Sequence, residues 1–497
     1  MAVFILAAAV RLEDLRQPLI DAFSWREAST AMMADNFWLR SWNVFYPEVS
    51  WTGPGPSYQG REFQVISYIV AVLSKMFGWH DWFGRAVAVA FGLWSVLAIY
   101  KVTDRVAGRP TALAAALILA LLPGAVAIQR SFLPDPAMLA FALTALWAYL
   151  AWLQTPRRIL LIAAAALTAL AVLAKPPGLT VIAPLAYASW VYLRGDGAGA
   201  RRRDAVLALA IVTVVVGAYY AWAVYLGTHY PPYHVAGSGY VWDELAQMVA
   251  DKFHVRKLIR HFATWFATPA FLLLAFAGAA VRQDGGSLRL RWLFHAWLIG
   301  GALFYLAASR EITNNPWNML CFAGPLAVFA GVGLLRLLRP VHGPRWTRAA
   351  TVVLVVALLG WSSREAVEVM KHPYARQGMA VGRKLAVLSR PGDTVIAVSE
   401  DVGDPIAVYY SRRRGWVFPP GGGGSGWDRL RTDADGRADL DQLRVAGADW
   451  FAVAREAEDS EGARFLDHQA ALVAHLDSSG RRVVDDAEMV IWRLGPP

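Results

Sequence analysis

Apolar and polar positions along this chain come in blocks. A short apolar stretch at 1–11 is followed by a polar segment, Asp21 to Glu62. Apolar blocks then recur at 82–101, 110–128, 136–153, 158–174, 178–193, 204–226, 264–281, 291–308, 317–338 and 347–362. Blocks of this kind approach the roughly 20 residues that a helix needs to cross a bilayer. The pattern predicts a polytopic α-helical membrane protein with about eleven crossings. The stretch 62–78, EFQVISYIVAVLSKMFG, is apolar but carries Glu62, Gln64 and Lys75, and is expected to lie along the interface as a helix of the first outer loop.

From about residue 375 the apolar runs shorten to strand length: Thr394–Val398, Ala407–Tyr410, Asp449–Ala454 and Glu488–Leu494. A helical pattern at Gly378–Ser389 lies between them. Such alternation predicts a small α/β domain. The expected division is therefore a membrane domain, 1–365, and a C-terminal extracytoplasmic α/β domain, 375–497. The run Gly421–Gly424 lacks the GK[ST] ending of a phosphate loop and reads as a flexible loop.

Composition narrows the class. Hydrophobic residues make up 56% of the 497, charged residues only 17%, and mean hydropathy is +0.36. These values exclude a disordered chain and disfavour a soluble globular one. The net charge of +10 is no sign of nucleic acid, because membrane proteins concentrate Lys and Arg in cytoplasmic loops. Alternate loops hold sixteen basic residues, at 101, 105, 109, 157, 158, 194, 201–203, 282, 289, 291, 336, 339, 345 and 348. The short loops opposite hold three, Arg130, Lys175 and Arg310. The positive-inside rule places the first set in the cytoplasm. The Asp21–Glu62 loop, the Gln129–Pro136 loop, Lys175, the loops 227–263 and 309–316 and the tail then share the outer face. Cys321 is the single cysteine and lies in an apolar run, so no intramolecular disulfide is expected. Met1–Val10 lacks a basic n-region and a cleavage site, and reads as a short first membrane helix.

Candidate chemistry gathers on that outer face. The first loop carries Asp21, Glu27, Asp35, Glu48 and Glu62 among Trp25, Trp38, Trp42 and Trp51, with Trp79 just beyond. An acid there can serve as general base toward an acceptor, while tryptophans also suit headgroup depth. Asp135, in SFLPDPAML, fits either a helix N-cap ahead of Pro136 or a functional acid. Lys175, in AKPPGL, fits a phosphate partner or a snorkelling side chain. Arg256, Lys257, Arg260 and His261 depart from the charge trend and could meet phosphate or simply face solvent. Arg310, Asn314, Asn315 and Trp317 offer one cation and several hydrogen-bonding groups, as phosphate or sugar ligands or as a polar connector. No run of His with acids has metal-ligand spacing, although Glu62 or His80 could join a site assembled in space. No metal ligand is predicted from motifs, and a divalent metal stays open as a cofactor.

Five segments in order, DAFSWREASTAMMADNF, REFQVISYIVAVLSKMFGWHDWFGRAVAV, SFLPDPAML, LAKPPGL and NNPWNMLCFAGPLAVFAGVGL, resemble the glycosyltransferase C superfamily. Within it they resemble the bacterial branch related to protein O-mannosyltransferases and the lipid A aminoarabinose transferase. The tail segment DPIAVYYSRRRGW resembles the outer domain of that branch. The resemblance implies an inner-membrane glycosyltransferase that takes a sugar from a polyprenyl phosphate and passes it, with inversion, to a glycan, lipid or protein acceptor outside. It implies Asp21, Glu27 and Asp135 as catalytic acids and Lys175 near the donor phosphate, where the outer-face cations Arg310, Arg256 and Arg260 are also expected. Trp25, Arg26, Glu62, Asn315 and Trp317 are the expected substrate contacts. The relatives' adjacent Asp-Glu pair corresponds here to Arg26-Glu27, so Asp21 and Glu27 both stand as candidate bases. The competing classes are an oligosaccharide transferase or ligase of the same superfamily and a lipid-carrier transporter. No clear internal repeat supports the transporter.

Overall fold

The computed structural model describes residues 1–233, 252–281, 285–308, 312–313, 315–338, 345–420, 433–459 and 462–496. Arg310, Asn314 and Gly421–Gly424 lie outside the described residues. The described residues fall into two compact units. One draws on Met1–Arg16, Trp82–Tyr220 and Gly237–Lys371, the other on Gln17–Asp81, Ala221–Ala236 and His372–Pro497.

The first unit is helical. Each apolar block assigned to it is helical, but the lengths differ. Among the described residues five helices are long and apolar enough to cross a membrane: Trp82–Ala107, Asp135–Gln154, Gly199–His229, Pro316–Leu338 and Ala349–Lys371. Two bent pairs, Arg109–Leu121 with Pro123–Gln129 (62°) and Arg256–Phe266 with Thr268–Ala279 (102°), bring the number to seven if each is one span. Ala2–Leu12, Arg158–Ala174 and Leu293–Ala307 are shorter. Val206, Leu207, Ile211 and Val214 of Gly199–His229 are each more than half exposed. An exposed apolar face of that extent suits lipid, not water.

The first bend has a visible cause. Pro123 cannot donate a backbone hydrogen bond and opens a new helix. The carbonyls of Leu119 and Ala120, near the end of the preceding helix, accept from Arg11 Nη2 at 3.0 Å and Nη1 at 2.9 Å. Arg11 is fully buried, and its Nη2 also donates to Gln129 Oε1 at 2.8 Å. A Cβ on Gly92 would lie 2.9 Å from Gln129 Cβ, so glycine permits this approach. A lone arginine inside an apolar block thus closes the hydrogen bonding of a broken helix.

The second unit joins the first polar loop to the tail. Helices Ser24–Leu39 and Val65–Phe77 pack together, with Ser67 Oγ donating to the Thr30 carbonyl at 3.1 Å. Val65–Phe77, expected along the interface, buries Ile66, Val70 and Ala71 and exposes Ile69, Val72, Met76 and Phe77. The tail forms a five-stranded sheet from β1 (Thr394–Val398), β2 (Arg414–Val417), β3 (Trp450–Ala454), β4 (Gly480–Asp485) and β5 (Met489–Leu494), in the order β2-β1-β3-β5-β4. β2, β1 and β3 run parallel, and β5 and β4 join antiparallel. The loop strand at Ser50–Gly53 pairs with β2, where Gly53 N donates to the Gly415 carbonyl at 2.7 Å and Gly415 N to the Ser50 carbonyl at 3.0 Å.

One expected strand is not one. Ala407–Tyr410 lies in a helix, Ile406–Ser411. Asp404 Oδ1 accepts the Ile406 N–H at 2.8 Å, and Pro405 precedes the first turn. A four-residue apolar run cannot separate strand from helix by periodicity, and this Asp-Pro start decides for helix. The neighbouring strand is β2.

Candidate active site

In the first unit three helix ends meet around Lys175. Helix Arg158–Ala174 stops there because two prolines follow. Pro176 forces Lys175 into an extended conformation, φ −165° and ψ 140°. The turn then folds back so tightly that a Cβ on Gly178 would sit 2.4 Å from the Ala171 carbonyl oxygen. Lys175 Nζ donates to Asp135 Oδ2 at 2.7 Å, and both side chains are buried. Asp135 is the first residue of Asp135–Gln154, with Pro134 at the N-cap position. The ammonium also lies 5.6 Å from the ring centroid of Trp317. Asn318, which the sequence did not single out, is buried one residue further along the same 3-10 turn, Pro316–Phe322. Buried as it is, Lys175 does not snorkel to solvent. The geometry is a buried cation held by one carboxylate and faced by an indole.

In the second unit Asp21, Arg26, Glu27 and Glu62 are all buried. Glu27 sits in the first turn of Ser24–Leu39, where a carboxylate suits the helix dipole. Arg26 Nη2 donates to Glu62 Oε2 at 2.9 Å. Gln64 Nε2 holds the Glu62 backbone carbonyl at 2.7 Å. Asp21 Oδ1 accepts the Phe23 N–H at 3.4 Å, and Trp25 is half-buried beside it in sequence. Tyr410 belongs to the same surroundings. Its hydroxyl accepts the Leu19 N–H at 2.9 Å and donates to Asp81 Oδ2 at 3.1 Å. Burial above all, then Asp81, with Glu27 a smaller contributor, pushes its phenol well up.

The structure thus brings Asp135, Lys175 and Trp317 together in one unit, and Arg26 with Glu62 in the other. Asn315 is half-buried at the start of its turn, and Arg256 and Arg260 are exposed on Lys252–His261. Among the described residues no three His, Cys, Asp or Glu side chains are placed to hold a metal ion. Acids beyond the expected set are engaged too. Asp35 meets Arg412 at 2.5 Å, and Asp81 accepts from Tyr409 at 2.8 Å. Their partners lie more than three hundred residues away, a separation that leaves no local signal in the sequence.

The apolar helices, with the similarities that follow, mark a multi-pass membrane protein. The sequence profile of the dolichyl-phosphate-mannose-protein mannosyltransferase family matches residues 64–223. No curated protein sequence matches the chain. Among solved structures, ArnT from Cupriavidus metallidurans in the apo state is similar with a TM-score of 0.67 at 17% identity, over 100% of this chain and 99% of ArnT. The same protein bound to undecaprenyl phosphate gives 0.63 at 16% identity, over 100% and 98%. The Archaeoglobus fulgidus oligosaccharyltransferase AglB, in complex with an inhibitory peptide and a dolichol-phosphate, gives 0.57 at 14% identity, over 92% of this chain and 69% of AglB. The chain thus shares the fold of these glycosyltransferase C structures, and its residues 64–223 are similar to the mannosyltransferase family.

Proposed function

We propose that this protein is a membrane glycosyltransferase that moves one sugar from a polyprenyl phosphate to an acceptor on the extracytoplasmic side of a bacterial plasma membrane. One observation carries the reading. The fold matches ArnT over essentially the whole length of both chains, and ArnT has been solved with undecaprenyl phosphate bound. The asymmetry of loop charge supports the sidedness.

In the proposed reaction Asp21 or Glu27 takes the proton of an acceptor hydroxyl. The oxygen attacks the anomeric carbon, the bond from that carbon to the phosphate oxygen breaks, and the configuration inverts. Negative charge gathers on the departing polyprenyl phosphate. Lys175 is the cation assigned to it, and Asp135 fixes its position. A charge that is fixed before the reaction stabilises the transition state without reorganisation. Arg26 and Glu62 are assigned to substrate contact, and exposed Arg256 and Arg260 to the lipid surface.

The test is transfer from a radiolabelled polyprenyl phosphate sugar by the purified protein, with mass analysis of the product. Loss of transfer in Asp21→Asn or Glu27→Gln, with a product one sugar heavier than the acceptor, supports the proposal. Full activity in both variants overturns the assigned base. A product carrying a whole glycan points to the oligosaccharide transferase instead.

A further inference from the structure

A second site lies in the loop-and-tail unit, and the proposed transfer does not use it. Helix Ser24–Leu39, Ser50, helix Ile406–Ser411 and the start of β2 enclose a cavity of about 280 Å³. Four arginines are among its lining residues, Arg40 and the consecutive Arg412, Arg413 and Arg414. This is the SRRRGW segment of the tail, to which the transfer chemistry gives no role.

The charges do not cancel. Arg412 pairs with Asp35 and lies 4.5 Å from the ring centroid of Trp79. Arg414 takes Glu48 Oε1 at 2.8 Å. Arg40 is only 3.6 Å from the other oxygen of the same carboxylate, and its side chain is 43% exposed. Arg413 donates to the carbonyls of Ala386, Ser389 and Arg412 and to the Ser389 hydroxyl, all of them neutral. Among the described residues that line the cavity or pair with its arginines, four cations therefore stand against two carboxylates, Asp35 and Glu48. A third carboxylate, Asp81, is covered by the hydroxyls of Tyr409 and Tyr410, and Arg383 stacks 5.5 Å from the Tyr410 ring centroid. The backbone is strained at the same place. Arg412 ends its helix in the left-handed region, φ 57° and ψ 27°, which a non-glycine residue seldom adopts and which concentrates at functional sites.

We propose that this cavity binds a phosphate-type oxyanion carried by a small group such as a glycerol or sugar phosphate. Guanidinium forks match the geometry of phosphate oxygens. The volume lies just below the roughly 300–1,000 Å³ of drug-sized ligand sites, which fits a headgroup and not a whole lipid. The proposal does not depend on the transferase reading.

The experiment titrates inorganic phosphate, then glycerol 1-phosphate, into the full-length protein in phosphatidylcholine nanodiscs by calorimetry. Saturable binding is expected. Arg40→Gln should weaken it about tenfold, the effect of one lost charge-assisted contact. Asp35→Asn should strengthen it, because the amide no longer competes for Arg412, and a merely damaged fold would not tighten binding. Absence of saturable phosphate binding, or equal affinity in wild type and both variants, overturns the proposal. Discs containing phosphatidylglycerol separate the sources. Competition with phosphate supports a lipid-borne group, and competition from glycerol 1-phosphate alone supports a soluble or acceptor-borne one.

Discussion

Lys175 and Asp135 are forty residues apart in sequence, 2.7 Å apart in space, and both buried. Taking an ammonium and a carboxylate out of water costs several kcal/mol each, and the pair repays that only while both members are present. Removing one partner leaves the other charge stranded. Lys175→Met and Asp135→Asn should each lower stability by about 3–5 kcal/mol, read as thermal unfolding in detergent. The double variant Lys175→Met with Asp135→Leu should regain much of the loss in stability and none of the transfer activity.

Arg26 and Glu62 make the corresponding pair in the other unit, at 2.9 Å. Glu62→Gln keeps the shape and removes the charge. We expect a loss of about 3–5 kcal/mol, and a lower kcat with sugar donor at saturation. Unchanged unfolding and kinetics would show that the pair serves neither fold nor substrate.

Asp35 gives the loop-and-tail unit a pH dependence. Burial, opposed by Arg412, raises its carboxyl from an ordinary 3.8 to about 6. Between those values the folded state holds the proton more tightly than the unfolded chain. Stability contributed by this group is therefore greatest below pH 4 and falls as pH rises toward about 6, with no further change above. Burial raises Glu48 and Asp81 in the same direction. Asp35→Asn should flatten the slope of stability against pH across that window, measured by thermal melts at stepped pH.

Gly53 tests the joint between the first loop and β2. Its φ is +109°, and an added Cβ would lie 2.7 Å from Trp416 Nε1. Gly53→Ala should cost about 1–3 kcal/mol, as overpacking does. Gly55→Ala, where an added Cβ meets nothing within 4 Å, is the control and should be close to neutral.

Much of the helical frame was legible in the sequence, because an apolar run declares a helix locally. Even so, run length did not show where a helix breaks. The block 110–128 is two helices at a 62° bend, and Pro123 was the local sign of it. β1, β3 and β5 were legible from their apolar runs. β4 was not, since Gly480–Asp485 is a mostly exposed edge strand without an apolar face. Asp135, Lys175 and Trp317 were each visible as a candidate, but nothing local paired them. Asn318 and the Arg412 cavity left no pattern to read.

The sequence by itself determined the class, the positions of most helices and the loops that carry the candidate residues, since hydrophobic periodicity and the punctuation of Pro and Gly act over one element at a time. Only the tertiary structure decided which charges are buried against which, that the first polar loop shares a compact unit with the tail, and that three successive arginines line a cavity. Those outcomes rest on contacts between residues tens to hundreds of positions apart, where desolvation makes each buried charge depend on a partner that its own neighbourhood in the chain does not specify.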